Sequence, residues 1–114
     1  MNINRRSAGD VEVLEISGKV MGGSDLDLFR AAVEKIIAEG KLKLIVDMAG
    51  VKFINSSGLG ILISGFISLK NRGGELKLIK ILDDKVKTPL RLTKLLDIID
   101  YHDTEEEALA NFKG

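Results

Sequence analysis

The chain has 114 residues, 45% of them apolar, with no cysteine and a formal net charge of zero, a size that suits one domain built on one core. Balanced charge argues against a nucleic-acid partner, which needs an excess of Lys and Arg to release counterions, and the lack of cysteine excludes disulfides and thiol chemistry. No apolar run approaches a membrane span and the segment from Met1 to Arg6 lacks a signal-peptide core, so the expectation is a cytoplasmic protein without membrane insertion.

In chain order, Ile3 to Ser7 reads as a first strand that turns at Ala8-Gly9-Asp10 into a second, Val11 to Ser17. In that second strand Leu14 and Ile16 share one face, and Val11 and Val13 share the other, so it is expected to be partly covered on both sides. A glycine-rich connection follows from Gly18 through Gly22 and Gly23. Ser24, with Asp27 three residues on, predicts a capped helix through Leu26, Phe29, Val33, Ile36 and Ile37 that stops at Gly40. Leu42 to Met48 is short and almost continuously apolar, as in a strand buried on both faces.

The stretch from Asp47 to Leu62 then organises the chain. It predicts a strand end, a short loop and a helix that begins at Ser56 and Ser57, with Gly58 and Gly60 in its first turn. That helix should run to about Asn71 and stop at Gly73-Gly74. Leu59, Leu62, Ile63 and Phe66 share its inner face, whereas Ile61, Ser64, Gly65 and Ser68 make a small, flat outer face without the usual Lys and Glu. Either another helix of the same domain covers that face or a partner does, and the partner is the preferred reading.

Leu76 to Ile81 is the next strand, and a helical segment starts at Asp83 or Asp84 and passes Val86, Leu90, Leu92 and Leu95. Pro89 interrupts it: either Thr88 caps a helix whose first residue is Pro89, or the first turn is distorted. Ile98 to Tyr101 is a final short strand. Thr104 and Glu107 form a capping box for a last helix with Ala108, Leu109 and Phe112. The class is α/β: one domain over residues 1–114, with a β-hairpin start, a mixed sheet of about five strands and about four helices.

The sequence offers no machinery for catalysis. Gly58-Leu59-Gly60 is not completed into a dinucleotide fingerprint, since the next glycine is Gly65 and no phosphate-binding lysine follows. The serines are not set in a nucleophile elbow. His102, the only histidine, sits in a polar stretch and is read as a surface residue. Glu105-Glu106-Glu107 suits the first turn of a helix. No cofactor or metal is expected. Ser56 and Ser57 keep two readings, helix capping alone or a phosphorylation switch. A phosphate would add roughly −1.5 to −2 charges at a helix end that tolerates them, and would repel an acidic or apolar partner.

Phe53-Ile54-Asn55-Ser56-Ser57-Gly58-Leu59-Gly60 resembles the D-S-S-G-L-G signature of STAS-domain anti-sigma-factor antagonists. The similarity extends over nearly the whole chain: the Gly18 turn, Asp47-Met48-Ala49-Gly50-Val51, Gly73-Gly74, Lys85-Val86-Lys87, the run from Leu95 to Ile99, and the Glu-rich final helix. The resemblance implies a bacterial, non-enzymatic regulator that binds an anti-sigma factor which is also a serine kinase. Phosphorylation ends that binding and a metal-dependent serine phosphatase restores it. The phosphorylated serine falls on Ser56, with partner contacts at Gly22, Gly23, Asn55, Ser57, Gly58 and Ile61. Two departures stand out: Asn55 replaces the frequent Asp, and the loop after Gly18 lacks the acidic residue often found there. The alternative within the family is a structural subunit of a transporter-associated or stressosome-like assembly, with Ser56 only a cap.

Overall fold

In a computed structural model describing residues 1–112, five strands form one sheet in the order β1-β2-β3-β4-β5. β1 (Asn2–Ala8) and β2 (Val11–Val20) pair antiparallel, and β3 (Lys43–Ile54), β4 (Glu75–Ile79) and β5 (Asp100–His102) continue in parallel. Each parallel step is a strand–helix–strand crossover. Because the strand order never reverses, right-handed crossovers deliver their helices to a single face. α1 (Ser24–Ala38), α2 (Ser56–Lys70) and α3 (Asp84–Leu92) lie there, over a core that includes Leu14, Ile16, Leu44, Val46, Leu76 and Leu78. The second face carries Val11, Val13, Ile45 and Ile79 under the short α4 (Glu105–Ala110). The two-sided pattern read in β2 is therefore real: its alternate residues enter different cores.

Several local expectations change. β3 continues beyond Met48 to Ile54, because two register shifts against β2 insert extra residues and break the alternation that would have marked it. α1 is preceded by Gly23 with no side-chain cap; Ser24 is its first helical residue, and the carboxylate of Asp25 instead accepts from the Met21 N–H at 3.1 Å. α3 starts after Asp83, whose side chain accepts from the Lys85 N–H, and runs unbroken through Pro89. Thr88 therefore caps nothing. Leu95 lies beyond α3, in a separate 3-10 turn (Leu95–Asp97). His102 is half-buried, not a surface residue: its Nε2 atom is enclosed and has no hydrogen-bond partner among the described residues. Thr104 caps α4 as expected, its Oγ1 accepting from the Glu107 N–H at 3.2 Å.

Candidate functional site

In a parallel sheet the loops after the strand ends converge, and ligands or partners approach there. At that end the turn after β2 (Met21, Gly22, Gly23), the junction between β3 and α2, and the segment after β4 come together. The join between the first two is close. The Asn55 N–H donates to the Val20 carbonyl at 3.3 Å, and a Cβ added to Gly58 would lie 2.1 Å from that same carbonyl oxygen. Gly58 is thus buried and serves contact inside the fold. Gly22, at φ 92°, adopts a conformation that glycine takes readily, and a Cβ there would lie 2.6 Å from Ser57 Cβ.

This clasp rotates α2 so that its first two serines diverge. Ser57 abuts the Gly22 turn, while Ser56, 100° away around the helix, points to the flank of Gly60, Ile63 and Ile67. Both serines are exposed. Neither caps the helix. Asn55 does so: its Oδ1 accepts from the Gly58 N–H at 2.8 Å, and its backbone carbonyl accepts from Leu59 at 2.9 Å. The departure Asn55 therefore retains the acceptor geometry that a capping Asp would provide. The Ser56 hydroxyl has no partner among the described residues. The N–H groups of Ser56 and Ser57 begin a helix whose first turn holds no acidic residue, so the local field favours an anion.

The faces of α2 differ from expectation: Ile63, expected on the inner face, is exposed, and the expected outer face is not open. Ile61 is 1% exposed, and Gly65 lies against Phe29 of α1, where an added Cβ would meet the ring at 2.6 Å. The small residues let two helices of this domain approach each other, so Ile61 and Gly58 offer no surface to a partner in this conformation. What the rim does expose was not singled out from sequence: Met21, Phe53 and Leu82 stand out beside Gly22, Gly23, Asn55, Ser56 and Ser57. Apolar residues at the ends of β2 and β3, one beside Gly22 and the other shortly before Asn55-Ser56, are the signal that could have found Met21 and Phe53. No group of three or more His, Asp or Glu side chains among the described residues is placed to hold a metal, and no described helix is long and apolar enough to cross a membrane.

The pattern of the STAS domain matches residues 2–108. The anti-sigma-B factor antagonist of Bacillus subtilis is 33% identical, over 88% of this chain and 91% of that protein. The chain is a STAS domain of the anti-sigma-factor-antagonist family. Among solved structures, a Thermotoga maritima protein assigned as an anti-sigma factor antagonist superposes with a TM-score of 0.86 at 25% identity, covering 96% of this chain and 93% of that one. SpoIIAA in its unphosphorylated form shares the STAS fold at a TM-score of 0.71 and 19% identity, over 96% of each chain.

Proposed function

We propose that this STAS domain is a non-enzymatic, cytoplasmic anti-sigma-factor antagonist. Its rim binds an anti-sigma factor that is also a serine kinase while Ser56 is unmodified, and releases it once Ser56 is phosphorylated. The observation that carries this reading is the division of labour at the start of α2: Asn55 caps the helix, which leaves the exposed Ser56 hydroxyl free of any structural bond. A serine needed as a cap would resist modification. This one can take a phosphate with the helix end intact. The added charge, roughly −1.5 to −2, then stands at the exposed start of α2, on a rim that also exposes Met21, Phe53 and Leu82, and an apolar partner surface seated on that rim would have to desolvate it. Reversal falls to a metal-dependent serine phosphatase. The relative named as an anti-sigma-B factor antagonist supports the assignment of partner class. SpoIIAA in its phosphorylated form shares this fold with a TM-score of 0.70, beside 0.71 for the unphosphorylated form, which is compatible with a switch that leaves the backbone in place.

The test is intact-mass analysis with site mapping after incubation with ATP and the anti-sigma kinases of the source organism. A single phosphate on Ser56, with weaker binding of the modified protein to the same kinase, is expected. Equal binding of one partner by Ser56→Ala and Ser56→Asp, with no phosphate incorporated, would replace the switch with the structural-subunit reading.

A further inference from the structure

One side of the rim is held by a carboxylate that the phosphate switch does not use. β2 ends at Val20, and the chain reaches α1 through Met21, Gly22 and Gly23. Gly22 and Gly23 both have positive φ, 92° and 60°, a region that glycine enters freely. A turn with that freedom needs a restraint to keep a single shape. A side-chain cap can fix such a helix entry, but the residue at the cap position is Gly23, and α1 has no such cap.

Asp25 supplies the restraint from inside the helix. Its N–H donates to the Gly22 carbonyl at 3.1 Å, and its Oδ2 accepts from the Met21 N–H at 3.1 Å, so one residue grips the turn at two points. Its other oxygen, Oδ1, lies 3.4 Å from the Met1 amine. Among the described residues, the Met21 N–H is the one amide of the turn with an acceptor, and no other side chain bonds to the turn. Asp27 sharpens the point. It carries the same charge in the same first turn of α1, yet it is exposed and makes no hydrogen bond or ion pair among the described residues. Proximity to the positive end of the helix is common to both; the Met21 amide is peculiar to Asp25.

The position of this turn shapes the rim. Gly22 packs against Ser57, and Met21 is exposed next to it. Any displacement of the turn alters the surface beside the serine pair without a change in either serine. A turn already in its bound shape also spares a complex the entropy of ordering it. We propose that Asp25 is a positioning residue for partner binding: by accepting the Met21 N–H, its carboxylate keeps the Met21–Gly23 turn in the shape that the anti-sigma factor meets. This rests on the proposed function and adds what preforms its binding surface.

The experiment measures affinity of the full chain for each anti-sigma kinase of the source organism, with Asp25→Ala, Asp25→Asn and Asp27→Ala as variants. Amide hydrogen exchange at Met21 reports the bond, and urea denaturation checks the fold. Asp25→Ala should weaken binding about tenfold and speed exchange of the Met21 amide. Asp25→Asn keeps an oxygen that can accept the same N–H, so it should stay within about threefold of wild type, and Asp27→Ala within about twofold. In the wild-type chain, the amides of Met21, Gly22 and Gly23 should gain protection when the kinase binds. Affinity within about twofold of wild type for Asp25→Ala, or a loss in Asp25→Asn as large as in Asp25→Ala, overturns the proposal and leaves the Ser56 switch intact. So does a turn whose amides ignore the kinase in the wild-type chain, a result that holds whether or not Asp25→Ala folds. If the wild-type chain binds no kinase, the function reading itself fails, and the role of Asp25 with it.

Discussion

Where β2 and β3 begin, charged side chains hold the fold together; where they end, backbone contacts do. At the first end Glu12 is buried and accepts from Ser7 Oγ and Arg5 Nε, each at 2.7 Å, and from Lys41 Nζ at 3.1 Å, while Arg5 also grips Glu39 after α1. At the second end no ion pair among the described residues ties the β2 turn to α2; Gly58 and Gly22 bring main chains together, and apolar side chains face water. Charges locked into mutual pairs have little left to offer a partner. A rim built on glycine contacts keeps its side chains free and makes recognition depend on backbone position.

Two substitutions would break that contrast most sharply. Gly58→Ala forces a methyl group to 2.1 Å from the Val20 carbonyl oxygen and 2.8 Å from Ile54, so the helix start must shift. A loss of about 3 kcal/mol in urea denaturation is expected, with kinase binding lost as well. Two residues on, Gly60 has open space around its Cβ position, and Gly60→Ala should instead gain about 0.5–1 kcal/mol from helix propensity. If both changes behave alike, close approach is not what Gly58 is for.

At the other end, burial alone would raise the Glu12 pKa, but the hydrogen bonds from Ser7, Arg5 and Lys41 outweigh it and hold the carboxyl at about 2, against 4.5 for a free one. A depressed folded-state value means the stabilisation is complete above pH 4.5 and is lost as pH falls through about 2, amounting to at most about 3 kcal/mol. Glu12→Gln should cost about 2 kcal/mol at pH 7 and make the acid limb of stability between pH 4.5 and 2 shallower. An acid limb as steep in the variant as in wild type would assign it to the exposed carboxylates.

Periodicity made the elements legible: the hairpin, the buried strands, α1 and α2, and the Thr104 cap of the last helix follow from spacing alone. It could not show the length of β3, because bulges erase the alternation, nor the path of α3 through Pro89, which core contacts of Val86 and Leu90 sustain. At the candidate site, composition singled out one stretch but could not assign the structural roles within it. Small residues on α2 read as a surface for a partner, and the one-dimensional pattern cannot tell that from a seam where Phe29 needs room. Likewise three consecutive residues, Asn55, Ser56 and Ser57, can all cap a helix. Only the backbone conformation selects Asn55.

That selection yields the finest comparison, between neighbours. Asn55→Ala removes the acceptor of the Gly58 N–H and should cost about 1 kcal/mol, while Asn55→Asp retains it and should stay within about 0.5 kcal/mol of wild type. Ser56→Ala removes no bond, so its thermal midpoint should match wild type and its stability should differ by less than about 0.5 kcal/mol, yet phosphate incorporation should vanish. Phosphate on Ser56 faces the positive end of α2 and should raise stability slightly, by up to about 1 kcal/mol, even as it abolishes partner binding. Opposite signs for stability and binding at one side chain are what a switch requires and a cap cannot give. If Ser56→Ala costs as much as Asn55→Ala, Ser56 shares in the cap and the division of labour at the helix start is lost.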